Sequence, residues 1–133
     1  MSEEAQTLDY NNARFKVKLY NFEMFVGPAA GEVAPDFTVT DLATGNDVKL
    51  SDFKGKWTVI ETGSSTCSMY TKNIARMKEV VDQFTDVEFL LVYVREAHPG
   101  ERLHQHKSIE EKKKAAALVA PRYGEHRRVL VDT

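Results

Sequence analysis

Two apolar runs, Trp57 to Thr62 and Val87 to Val94, bracket a stretch in which apolar residues recur every three or four positions. Both runs are rich in β-branched and aromatic residues and do not alternate with polar ones, the pattern of strands with helices over both faces. Between them Tyr70, Ile74, Met77, Val81 and Phe84 form one continuous stripe, with Lys72, Arg76, Lys78 and Glu79 turned away. That spacing predicts an amphipathic helix from Ser68 onward. Strand, helix and strand then make a parallel, right-handed βαβ unit, with Trp57 to Thr62 as a central strand.

Before this unit, a short strand near Phe37 to Thr40 turns at Gly45-Asn46 and returns through Val48 to Leu50. Ser51-Asp52-Phe53 is a single helical turn closed by Gly55. After the unit, Ser108 with Glu111 three residues on is a capping box, opening a helix that runs to about Ala120 and ends before Pro121. Val129-Leu130-Val131 is a last short strand. In residues 13–26 two patterns compete: Phe15, Val17 and Leu19 alternate like a strand, while Phe15, Leu19, Phe22 and Val26 share one helix face. Length favours the helix, and Gly27-Pro28 stops it. The expected organisation is an N-terminal extension over residues 1–30, partly helical, followed by an α/β domain over residues 31–133.

The chemistry gathers where the first run ends. Glu61-Thr62-Gly63-Ser64-Ser65-Thr66-Cys67-Ser68 carries the chain through a turn into the helix and places the only cysteine at the helix start. Unpaired backbone N–H groups and the helix dipole favour an anion there, which lowers a thiol's pKa. The plain alternative is a small buried hydrophobe. Ser64, Ser65 and Thr66 offer hydroxyl donors to a thiolate or a bound oxygen, or serve only as turn and cap residues. Ligands of parallel sheets bind beyond the strands' carboxyl ends, and the second run ends at that edge in Arg95-Glu96-Ala97-His98-Pro99-Gly100. The two loops should share one mouth, with His98 as proton donor or acceptor and Glu96 orienting it. Arg95 joins Ser64, Ser65 and Thr66 as a substrate-binding or thiolate-stabilising candidate. His104 and His106 form a His-x-His grouping with His98 and Glu96, a weak metal signal, and neither a metal nor a cofactor is expected. Glu61 either bonds a neighbouring loop or faces the pocket.

Composition narrows the classes. The 133 residues are 42% hydrophobic and 29% charged, and 18 Lys+Arg against 20 Asp+Glu give a formal net charge of −2. Nothing global draws such a chain to nucleic acid or an anionic membrane. Lys107, Lys112 to Lys114, Arg122, Arg127 and Arg128 read as solvated surface rather than a nucleic-acid site. No apolar stretch reaches the roughly 18–20 residues of a membrane span, and no signal-peptide h-region is present. With one cysteine an internal disulfide is excluded, which points to a reducing, cytoplasmic setting. The aromatic arm of Phe15, Tyr20, Phe22 and Phe25 suits a segment lying on the domain or on a second subunit. Lys16 and Lys18, opposed by Glu23, argue against a membrane-surface helix.

Gly31-x-x-Ala-Pro-Asp-Phe, then Val48-x-Leu-Ser-Asp-Phe-x-Gly-Lys56, resembles the opening of the redoxins, the thioredoxin-fold group that includes the peroxiredoxins. Glu61-x-Gly-Ser-x-Thr-Cys67, then Val92-Tyr93-Val94-Arg95-Glu96-Ala97-His98-Pro99, resembles the iodothyronine deiodinases and their bacterial deiodinase-like relatives. The resemblance implies a thioredoxin fold, Cys67 as redox centre where the animal enzymes carry selenocysteine, and Glu96 and His98 facing the same pocket. Peroxiredoxins need a proline and a threonine where Ile60 and Ser64 stand, and Cys67-Ser68-Met69-Tyr70 is no Cys-x-x-Cys pair. Neither a standard peroxiredoxin nor a dithiol oxidoreductase is expected. Thr62 and Ser68 also stand where the bacterial relatives usually have phenylalanine and proline. In the family, the strand resembling Val129 to Thr133 leads into a short helix, a β-hairpin and a last helix. Lacking the C-terminal hairpin and last helix, the thioredoxin-like βαβ core should leave a sheet edge and one core face uncovered. Marginal stability, aggregation or completion by another chain would follow, including a homodimer through that edge or the N-terminal arm.

The expected chemistry is a Cys67 thiolate attacking a small-molecule electrophile, a peroxide or a halogenated aromatic. A peroxide leaves a sulfenic acid that an external thiol, glutathione or a thioredoxin-like protein, must reduce. Reductive dehalogenation, which the animal relatives perform, ranks lower because sulfur is a weaker nucleophile than selenium at neutral pH. The alternative is a non-catalytic thioredoxin-fold binding or assembly module with a vestigial cysteine.

Overall fold

The computed structural model describes residues 27–132. The competing patterns of residues 13–26 and the aromatic arm lie outside the described residues. Along the chain come β1 (Thr38–Asp41), β2 (Asp47–Lys49), a 3-10 turn (Leu50–Phe53), β3 (Thr58–Gly63), α1 (Ser68–Gln83), β4 (Glu88–Tyr93), α2 (Ile109–Ala116), α3 (Val119–Tyr123) and β5 (Arg128–Val131). The strands form one sheet in the order β2-β1-β5-β4-β3. β3, β4 and β5 run parallel, while β1 is antiparallel to both β2 and β5.

The predicted hairpin, βαβ unit and final strand are all present. Gly45 takes φ +75° in the hairpin turn, a conformation that L side chains rarely adopt. Asp41 fixes the turn's start by accepting the Ala43 N–H at 2.9 Å. Its other oxygen takes two contacts from Arg128, at 2.7 and 2.6 Å, which ties β1 to β5. Asp36 accepts the Ser51 N–H and hydroxyl at 2.9 and 2.8 Å. The Ala-Pro-Asp-Phe and Leu-Ser-Asp-Phe segments are thereby joined.

β4 is buried on both faces. Leu91 and Tyr93 pack with Tyr70, Ile74, Ala115, Ala116, Val119 and Val131. Leu90 and Val92 pack on the opposite face with Val39, Val48 and Leu130. Helical residues enter only the first cluster, so among the described residues the helices lie over one face of the sheet rather than both. β3 departs from expectation in a second way: among the described residues it is an edge strand, not a central one. Trp57, Val59 and Ile60 are correspondingly exposed, at 83%, 43% and 39%. An apolar run reads the same at an edge as at a centre, because pairing is decided by distant segments.

The stripe of α1 is real but unevenly used. Tyr70 and Ile74 are buried, Met77 and Val81 half-buried, and Phe84 exposed, so packing fades toward the helix C-terminus. Ser108 caps α2 by accepting the Glu111 N–H at 3.2 Å. The Glu111 carboxylate reaches one residue further back than a standard box, to the Lys107 N–H at 2.7 Å. The expected single helix to Ala120 is two, and Pro121 falls in the first turn of α3, where no intrahelical N–H is required. Two residues read as solvated are buried: Lys112, whose ammonium donates to the Asp132 carbonyl at 2.7 Å, and Arg127. No helix of the described residues is long and apolar enough to cross a membrane.

Candidate active site

The site begins at Gly63, the last residue of β3. A Cβ there would lie 2.6 Å from the Tyr70 ring, so only glycine lets the first turn of α1 close onto the strand end. The chain then turns, the Cys67 N–H donating to the Ser64 carbonyl at 3.0 Å. Cys67 is the N-cap of α1 with extended backbone (φ −89°, ψ 103°), and its carbonyl accepts the Thr71 N–H at 3.0 Å. The residue is half-buried, packed partly against the helix-side core.

The second loop meets this turn through a dense set of hydrogen bonds. Ser64 Oγ accepts the Ala97 N–H at 3.1 Å. The Tyr93 hydroxyl accepts the Ser65 N–H at 3.0 Å and donates to Glu96 Oε1. Thr66 donates its N–H and its hydroxyl to Glu96 Oε2, at 3.0 and 2.7 Å. The same hydroxyl oxygen accepts the His98 N–H at 3.0 Å. Gln105 closes the far side, accepting the Glu96 N–H at 2.9 Å and donating to its carbonyl at 3.1 Å. The two loops distant in sequence do share one mouth.

Glu96 is 1% exposed. Its carboxylate bonds Thr66 and Tyr93, so it reaches His98 at one remove, through the Thr66 hydroxyl. His98 is exposed and, with Ser65 and Thr66, lines a cleft of about 570 Å³ whose other walls include Arg102, Arg122 and Tyr123. Arg95 is half-buried just past β4 and lies outside the cleft lining. His106 turns inward, 3% exposed, its Nε2 4.0 Å from Glu96 Oε1. Burial, then the neighbouring Lys112, pushes its pKa below the ordinary 6.5 against the opposing pull of Glu96 and Glu111. His104 is exposed, and among the described residues no three such groups converge on a metal position.

A second buried network backs the first turn of α1. Arg127 donates twice to Glu125 at 2.8 Å and once to Glu61 at 2.5 Å, and the Tyr70 hydroxyl donates to Glu125 at 2.7 Å. Glu61 thus bonds a neighbouring loop. Burial raises the Glu125 carboxyl, but Arg127 and Tyr70 together hold it below the usual value. Burial, then the Glu125 bond, raises the Tyr70 phenol, and burial with the Glu96 bond does the same for Tyr93. Tyr93 and Tyr70 read as plain core in the sequence because their apolar spacing conceals their hydroxyls. Gln105 and Arg127 carried no local signal.

Comparison with known proteins places the chain in a family. The sequence model of the iodothyronine deiodinase family covers residues 1–133. The chain belongs to that family. It is 30% identical over 101 residues to the thyroxine 5-deiodinase of Sparus aurata, a match covering 67% of this chain and 38% of that one. It is also 43% identical over 49 residues to glutathione peroxidase 1 of Caenorhabditis elegans, covering 37% and 29%. Among solved structures, the thioredoxin domain of a thiol-disulfide oxidoreductase from Bacteroides vulgatus superposes with a TM-score of 0.59 at 24% identity, over 80% of this chain and 66% of that one. The fold is thioredoxin-like. The deiodinase-family chain spans well under half the length of the curated relatives it matches.

Proposed function

We propose that this deiodinase-family chain is a thiol-dependent oxidoreductase in which Cys67 reduces a soft electrophile. One observation carries the reading: Cys67 caps α1 at the carboxyl end of β3, and its neighbours Ser65 and Thr66 line a cleft with His98. With a hydroperoxide, the Cys67 sulfur attacks the terminal oxygen, an S–O bond forms and the O–O bond breaks. His98 serves as the proton donor to the departing alkoxide, and a sulfenic acid remains. One external thiol then displaces water to give a mixed disulfide, and a second releases Cys67 with an external disulfide as product. Two thiols thus supply the two electrons that convert the hydroperoxide to alcohol and water. An iodinated phenol is the second substrate class, favoured by the family match. There the sulfur takes the iodine as a sulfenyl iodide while the ring carbon takes a proton.

The test is steady-state consumption of hydrogen peroxide, organic hydroperoxides and iodinated phenols with added thiol, for the wild type and Cys67→Ser. The expected result is turnover of at least one substrate by the wild type and none above buffer by the variant. Equal rates would exclude Cys67 as the centre, and no turnover at all would favour the non-catalytic binding module.

A further inference from the structure

We infer that the cleft lined by Ser65, Thr66 and His98, next along the chain to Cys67, recognises the carboxylate of a small organic anion, with Arg122 and Arg102 as specificity-determining residues, a role that rests on the redox reading above. Both arginines line the cleft, Arg102 from the loop after β4 and Arg122 from the last turn of α3. Against them the lining sets a single carboxylate, Glu101. Guanidinium groups are permanently charged and match a carboxylate's two oxygens. The described structure spends its other nearby arginines on itself: Arg127 holds Glu125 and Glu61, and Arg128 holds Asp41. No ion pair among the described residues occupies Arg102 or Arg122. The position of Arg122 is also linked to the reacting turn, because the adjacent Tyr123 hydroxyl donates to the Ser65 carbonyl at 3.5 Å.

Size points the same way. A cleft of about 570 Å³ is of the scale that holds an organic molecule, and hydrogen peroxide needs far less. These 133 residues hold one cysteine, and the redox reading takes an external thiol as the group that meets its oxidised sulfur. A carboxylate-bearing thiol seated on Arg102 and Arg122 would lie in the cleft whose wall includes Ser65 and Thr66, the residues that precede Cys67. The competing source of the same chemistry is a carboxylate-bearing electrophile.

The experiment uses thiols of similar size and different charge: mercaptopropionate, mercaptoethanol and cysteamine. Each reduces the peroxide-oxidised wild type, Arg122→Gln, Arg102→Gln and the double variant, with rates corrected for thiolate fraction. A second arm holds mercaptoethanol as reductant and compares hydrogen peroxide with a carboxylate-bearing hydroperoxide. The expected result is a preference for the anionic thiol of about five- to tenfold, the scale of partly exposed charge-assisted contacts. It collapses toward unity in the double variant and at high salt, and persists in Lys56→Gln, which removes a charge outside the cleft. A preference confined to the hydroperoxide arm supports carboxylate recognition with the electrophile as occupant. No charge preference in either arm, or one that survives the double variant, overturns the proposal while leaving the redox reading intact. Failure of every thiol to support turnover overturns both.

Discussion

At Glu96 one buried carboxylate meets three donors: the Thr66 N–H, the Thr66 hydroxyl and the Tyr93 hydroxyl. Removing it leaves all three without that acceptor, the Tyr93 hydroxyl in the core and the Thr66 groups half-buried at the cleft wall, and each unsatisfied buried group costs about 1–3 kcal/mol. Glu96→Ala is therefore expected to lose about 3 kcal/mol or more of stability in urea unfolding. Glu96→Gln, which keeps one carbonyl oxygen for Thr66, should lose roughly half as much. The turn carrying Cys67 should loosen with it, seen as faster exchange of the Thr66 amide. A Glu96→Ala variant within about 1 kcal/mol of wild type would mean that the carboxylate is not what joins the two loops. The prediction concerns positioning, since Glu96 is buried beneath the mouth rather than exposed in it.

Among the elements, α1 divides into a packed half and an exposed half, although its apolar stripe is uniform in sequence. Ile74 is 1% exposed and Phe84 50%. Ile74→Ala should therefore cost about 2–5 kcal/mol, the range for emptying a core site. Phe84→Ala should cost about 1 kcal/mol or less despite removing the larger side chain, because half of that chain is already in water. Comparable losses in denaturant titrations would show that the far end of α1 is covered in solution. The contrast also marks what local sequence encodes. β4, the hairpin and the Ser108 cap are legible because period, turn residues and cap chemistry are local. The edge position of β3 is not, because Trp57 to Thr62 carries no record of which strand lies beyond it. Lys112 misleads for the same reason: in sequence it is the first of three lysines, and only the distant Asp132 carbonyl shows it to be buried. At the site, Ser65, Thr66 and His98 line one cleft because the βαβ topology brings both loops to that edge, while Ser64 and Glu96 are buried beneath it and Cys67 lies next to Thr66 outside the lining. Tyr93, Gln105 and the Arg127 network join them through contacts that no spacing announces.

The whole molecule's response to pH follows from groups distributed across both networks. His106 has its pKa lowered from 6.5 by burial and by Lys112. As pH falls below 6.5 the unfolded chain binds that proton first, so stability declines from there to the lower folded value and then levels. Glu125 and Asp41 add a second, more acidic step. Burial opposes them, yet Arg127 with Tyr70 in one case, and Arg128 with the Ala43 N–H in the other, hold both below their ordinary 4.5 and 3.8. Their contribution is complete above those ordinary values and is lost as pH falls through the folded ones. At the alkaline end Tyr70 and Tyr93 act in the opposite sense. Both are raised above 10.0, chiefly by burial, so the stability they add is present below 10.0 and disappears as pH rises through the folded values. Lys112, lowered from 10.5 by burial, pulls against the tyrosines, its contribution declining as pH falls from 10.5 toward the folded value. On the acid side urea midpoints should show a shallow step below 6.5 with a steep fall beneath it. His106→Gln should abolish the shallow step and leave the steep fall in place, because Glu125 and Asp41 are held down by Arg127, Tyr70, Arg128 and backbone N–H groups. If the shallow step persisted unchanged in His106→Gln, the charge change near neutral pH would belong to another group, and the buried imidazole would not govern this part of the stability curve.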